Sequence, residues 1–130
     1  MQRRLAIAFA VATVAAMAVA CGSVTNPSQN IIENFQGTVQ PASNGPLHTF
    51  NANNNGEFTV VFTALNPAPA AGVTFGQILQ NQCGLISQQV GTVGQAVFSS
   101  SINKGTYCIQ VFDYVGVTVP FTYTLKVSHP

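Results

Sequence analysis

An antiparallel β-sandwich of jelly-roll-like type, with seven or eight short strands and one disulfide, is the fold this sequence predicts. Three observations predict it. Apolar and polar residues alternate in several segments, most clearly 57–65 and 121–128, and no stretch shows a convincing apolar period of about 3.6 residues. Clusters of Asn, Gly and Pro interrupt these segments at short intervals, as turns between strands do. Cys83 and Cys108 form an even pair once Cys21 is assigned to the N-terminal segment.

The first segment is an export signal over residues 1–20. Met1-Gln2-Arg3-Arg4 is a cationic start, Leu5 to Met17 is apolar, and Ala18-Val19-Ala20 is a small-residue cleavage site directly before Cys21. The segment resembles a bacterial lipoprotein signal peptide, with Ala18 where the lipobox usually has Leu. That resemblance implies a thioether-linked diacylglycerol on Cys21 and usually an amide-linked acyl chain, and more than one chain makes anchoring stable. Plain secretory cleavage after the A-x-A triplet is the alternative. A transmembrane anchor is disfavoured, because Leu5 to Ala20 is 16 residues and a spanning helix needs about 20. Gly22 and Ser23 follow the cysteine, and with no Asp there the resemblance favours the outer membrane or cell surface.

Residues 21–30 (CGSVTNPSQN) are polar, aperiodic and hold a Pro, which reads as a flexible tether. The folded unit is placed at 31–130, the size of one domain. Charge is nearly absent after Cys21: Lys104 and Lys126 stand against Glu33, Glu57 and Asp113. That balance argues against nucleic acid and against a polybasic grip on lipid headgroups, which both need clustered Lys and Arg. The polar surface is built from Asn, Gln, Thr and Ser instead.

The strands follow in order. Asn34 to Gln40 and Leu47 to Asn51 are short candidates on either side of a breaker at Asn44-Gly45-Pro46. From Glu57 to Leu65, Phe58, Val60 and Phe62 alternate with Glu57, Thr59, Val61 and Thr63, so one face points to a core and the other is mainly solvated. Val73 to Leu79, Leu85 to Val90 and Gln95 to Ser99 are further short candidates after the Asn66-Pro67-Ala68-Pro69 turn. After Asn103-Lys104-Gly105, the segment Thr106 to Asp113 places Tyr107, Ile109 and Val111 inward and Cys108, Gln110 and Phe112 outward. The last strand puts Phe121, Tyr123, Leu125 and Val127 on the core face. Such a series of punctuated strands makes a sandwich or jelly roll.

Exported proteins meet an oxidising compartment, so Cys83 and Cys108 are read as a structural disulfide. Closing a 25-residue separation stabilises by about 3 kcal/mol in the chain-entropy account. Cys108 lies opposite Tyr107, Ile109 and Val111, so the bridge is expected on the outside of the sandwich. No C-x-x-C occurs, and neither His48 nor His129 has a partner at ligand spacing, so no metal or other cofactor is expected.

The motifs His48-Thr49-Phe50, Gly56-Glu57-Phe58-Thr59-Val60, Gly105-Thr106-Tyr107-Cys108-Ile109-Gln110-Val111 and Tyr123-Thr124-Leu125-Lys126-Val127 together resemble the bacterial pre-peptidase C-terminal domain. The resemblance spans Glu33 to Val127. It implies a jelly-roll-like sandwich, found beside secreted proteases and in small lipoproteins, with roles in secretion or in holding insoluble polymers such as collagen or polysaccharide. Calcium-binding relatives use clustered acidic residues; here Glu33, Glu57 and Asp113 are far apart in sequence.

No catalytic set is expected. There is no G-x-S-x-G elbow; Asp113 reads as a turn cap, Glu57 as a solvated strand residue, His48 as a strand-start donor to a backbone carbonyl, and His129 as mobile near the C-terminus. Phe112 and Tyr114, with Gln110 and Asp113 beside them, form the one outward aromatic cluster that the pattern places. They are the candidate binding residues, although Phe112 also reads as packing on the disulfide or under the 115–120 loop. The resulting expectation is a lipid-anchored, non-catalytic module at the cell envelope, contacting the membrane through its anchor and an envelope protein or polysaccharide through this cluster. The alternative is a secreted accessory domain for polysaccharide or protein polymer.

Overall fold

Period-two alternation becomes eight strands: β1 (Ile31–Val39), β2 (Asn44–Ala52), β3 (Gly56–Asn66), β4 (Ala71–Leu79), β5 (Gln82–Gly91), β6 (Ala96–Ile102), β7 (Gly105–Phe112) and β8 (Phe121–His129). The computed structural model describes residues 29–130; the signal segment, Cys21 and the tether up to residue 28 lie outside the described residues. The strands pair antiparallel in two four-stranded sheets, ordered β1-β8-β3-β6 and β2-β7-β4-β5. Only β4 and β5 are consecutive partners within one sheet. Every other connection crosses from one sheet to the other, which is the jelly-roll arrangement.

Alternation decides which face of each sheet is dry. Phe58, Val60 and Phe62 of β3 and Phe121, Tyr123, Leu125 and Val127 of β8 are almost wholly buried, as are Val73 of β4 and Ile109 and Val111 of β7 across the sandwich. Phe50, Phe58 and Phe75 join the two layers as a ring cluster, with centroids 5.5 Å apart for Phe50–Phe58 and 4.7 Å for Phe58–Phe75. Offset and tilted rings at such spacings add to the burial itself.

Two local expectations need correction. Asn44-Gly45-Pro46 is not a turn between strands: it opens β2, with a register irregularity between Asn44 and Leu47. Proline has no N–H to offer a ladder, and β2 tolerates it because it is an edge strand. β1 begins at Ile31, and the preceding Asn30 side chain donates to the Glu57 carbonyl (3.0 Å) and to Ser128 Oγ (3.2 Å). Finally, His129 is not mobile. It ends β8 at 1 % exposure, beside Phe50 at 4.7 Å, with Nε2 2.8 Å from Glu33 Oε1 and Nδ1 without a partner.

Gln80 and Asn81 both have positive φ, at 50° and 62°, and close the β4–β5 hairpin in the two-residue manner that suits the strand twist. A bulge at Ile86 then coils β5 over the outside of its own sheet, and pairing between β4 and β7 ends at Gly76 and Cys108. This coiling brings Cys83 of β5 to Cys108 of β7, across the intervening β4, with Cα atoms 5.6 Å apart. The bridge lies on the outer face as the alternation requires, yet Cys108 is fully buried because the hairpin covers it.

Candidate functional site

The outer face of β4 is nearly bare. Before Ile78, its outward positions are Gly72, Thr74 and Gly76, which lie between the longer side chains of β5 and β7. A trough follows from that composition. At one end the Phe112 ring occupies the space where a Gly72 side chain would be, and at the other the Gly84 carbonyl of the coiled hairpin covers Gly76.

Between these ends lies a depression of about 290 Å³ lined by Asn44, Thr74, Gln82, Cys83, Leu85, Gln88 and Gln110. Gln88 Nε2 donates to Thr74 Oγ1 at 3.1 Å, and Gln110 Nε2 donates to the Gly45 carbonyl at 2.9 Å. Each amide is therefore held in place by one N–H, and its carbonyl oxygen and second N–H have no protein partner among the described residues. Gln88 also borders an adjoining hollow of about 370 Å³, lined with Gln89, Val90, Phe112 and Tyr114, where Tyr114 is 60 % exposed.

Of the residues predicted from sequence, Gln110, Phe112 and Tyr114 thus come together on one face. Phe112 packs on Gly72 rather than on the disulfide, and is half-buried. Asp113 turns away. Its carboxylate accepts the backbone N–H groups of Ala42 (3.0 Å), Gly116 (2.8 Å) and Val117 (3.0 Å), tying the β7–β8 connection to the β1–β2 turn. The Ala42 N–H is the largest influence on it, and with the Val117 and Gly116 donors it outweighs desolvation and holds this carboxyl below its usual 3.8. Asn44, Thr74, Gln82 and Gln88 were not among the predicted site residues. The available signal was the alternation of Gly72, Thr74 and Gly76, which leaves one face of a strand without bulk.

His48, Tyr123, His129 and Glu33 pair with one another within the scaffold. His48 sits within β2, not at its start, and reaches the other sheet instead of a backbone carbonyl: its Nε2 is 2.7 Å from Tyr123 Oη, and its ring stacks on Phe35 at 4.8 Å. The Tyr123 ring in turn covers Gly37, where an added Cβ would lie 2.5 Å from the hydroxyl. Burial lowers the His48 pKa below 6.5 and pushes the Tyr123 phenol up to about 12.

The histidine shift has a defined sign. A base with a depressed folded pKa is neutral when folded while the unfolded chain still takes up a proton, so stability present above pH 6.5 falls as pH drops below it. Thermal midpoints measured on acidification through that range should decline in the native chain and decline less in His48→Gln. Parallel curves would show that His48 carries none of the dependence.

Other hollows lie on the surface of the described residues. One, of about 410 Å³, lies on the first sheet among Gln36, Thr38, Ala64, Thr122 and Thr124, and lacks an exposed aromatic platform. Another opens between the edge strands β5 and β6 and is lined by core residues such as Phe75, Phe98 and Ile102 together with Ser99 to Ser101. Among the described residues, no three His, Cys, Asp or Glu side chains are grouped to hold a metal ion. None of the described helices is long and apolar enough to cross a membrane. The sequence matches no model of a known protein family, and no curated protein matches it significantly.

Proposed function

We propose that the chain is a lipid-anchored, non-catalytic β-sandwich module of the cell envelope that holds a ligand on the outer face of its second sheet. The observation that carries this reading is the chemistry of that face. Amides, a threonine and two aromatic rings line it, while Asp113 caps a loop, His48 meets Tyr123 and His129 meets Glu33. General acid–base chemistry needs a titrating group within reach of the bound molecule, and the trough offers none in the neutral range. Binding needs fixed donors and acceptors beside an apolar platform, and these it has.

The anchor is supported by the cationic start, the apolar run and the small residues that end at Cys21, and the outer membrane or surface by Gly22 and Ser23. In the secreted-accessory alternative the same face serves a soluble protein. The two readings separate at Cys21. Mass spectrometry of the N-terminal peptide of the mature protein should show diacylglycerol on Cys21, with the protein sedimenting with membranes. An unmodified Cys21, or a chain starting elsewhere, would exclude the anchored form.

A further inference from the structure

The two sides of the sandwich are finished differently, and from that contrast we infer that the side formed by the edge strands β5 and β6 is a contact surface for a second copy of this chain, β6 against β6 across a two-fold axis. On the opposite side, between the edge strands β1 and β2, the layers close on each other. Phe35 stacks on His48 at 4.8 Å, His48 meets Tyr123 at 2.7 Å, and an added Cβ at Gly37 would lie 3.0 Å from Pro46 Cδ. Those edges also carry guards against pairing, a proline in β2 and the Glu33 carboxylate in β1. β5 and β6 have neither proline nor charge. Between them opens the hollow of about 400 Å³ whose floor is Phe75, Phe98 and Ile102, with the exposed Ile86 at its wall. β5 is coiled by its bulge, whereas β6 pairs with β3 without a break from Phe98 to Ile102, so β6 is the strand fit to be extended.

Charge singles out the partner. A surface that meets its own copy across a two-fold axis brings each charge near an identical one, so it must be nearly free of charge. From Phe58 to Asn103 the sequence has no Asp, Glu, Lys, Arg or His. The charges that flank this run, Glu57 opposite Ser101 and Lys104 just after β6, lie at one end of the strand, and antiparallel pairing carries those of the two copies to opposite ends. What remains has the layout of an interface, apolar at its centre with a neutral rim of Ser87, Gln89, Ser99 and Ser101. Ser100 is exposed although Phe98 and Ile102, its neighbours on the same face of the strand, are buried, so that face lacks cover at mid-strand. A second copy covers it and pairs the free N–H and C=O groups along the edge of β6.

Sedimentation velocity of the purified mature protein in density-matched detergent should show a dimer that dissociates on dilution. Ser100→Lys and Ile86→Lys should each raise the dimer dissociation constant by about tenfold or more, because like charges then enter the interface. Both positions are exposed, so the thermal midpoints should stay near the native one. Ser100 is the middle residue of the regular run from Phe98 to Ile102, so in symmetric pairing it faces its own copy. An equimolar mixture of Ser100→Lys and Ser100→Asp should therefore regain the dimer that neither variant forms alone. A native chain of single-protomer mass at every concentration would overturn the proposal, and is the result expected if the edge takes up a strand of another protein instead. A dimer that both lysine variants leave unchanged would overturn it too, placing the contact elsewhere or in the acyl groups. So would a mixture that stays as monomeric as its two components.

Discussion

Gly76→Ala should destabilise the domain by about 3 kcal/mol or more, whereas Gly72→Ala, four residues earlier on the same face, should cost only about 1 kcal/mol. The difference lies in what the new methyl group meets. At Gly76 it lands on the carbonyl oxygen of Gly84, with the Gly84 carbonyl carbon at 2.6 Å and the Ile86 nitrogen at 3.3 Å. These are backbone atoms of a hairpin held by the β4–β5 ladder and by the Cys83–Cys108 bridge, so relief requires the hairpin to uncoil. At Gly72 the methyl meets the Phe112 ring, a half-buried side chain that borders an open hollow and is not fixed backbone. Urea denaturation of both variants measures the contrast. Equal losses would mean that the hairpin yields as easily as a side chain, and the account of the coiled β5 would then be wrong.

That coiling could not be read in advance. Leu85 to Val90 reads as a plain strand, and nothing in Gln80-Asn81 announces a turn with two positive φ angles, because the usual glycine is missing. The core faces of β3, β7 and β8 were legible for the opposite reason: one side of each is dry, so the burial pattern is written directly into the alternation. Pro46 misled because a residue that breaks a central strand is allowed at an edge, and edge position is a property of the whole sheet.

The site was half legible by the same logic. Gln110 and Phe112 belong to one strand and Tyr114 follows it, so a single period-two pattern places them together. Asn44, Thr74 and Gln88 come from β2, β4 and β5, and reach that cluster only through the order β2-β7-β4-β5. Sheet order is set by long-range packing, and no local periodicity carries it. The histidines fail for a related reason. His48 and His129 find their partners across the sandwich, in Tyr123 and Phe50, at sequence separations no motif spans.

Replacing both cysteines, Cys83→Ala with Cys108→Ala, should lower stability by about 3 kcal/mol, the chain-entropy value for a bridge with a separation of 25. Here the constraint also does something specific. Beyond Gly76, β4 no longer pairs with β7, and the bridge ties the end of the hairpin directly to β7. Without the bridge, amide exchange should accelerate at the Leu79 end of β4 and the Gln82 end of β5. The β1–β8 pairs, which share no contact with it, should keep their protection relative to the lowered global stability. Reductant provides the internal check. It should bring the denaturation midpoint of the native chain down towards that of the double variant and leave the double variant where it is. Cys108 is fully buried, so slow reduction in the folded state calls for equilibration from the unfolded side. A native midpoint indifferent to reductant after such equilibration would mean that the hairpin holds its own position, and the trough would then keep its wall without the bridge.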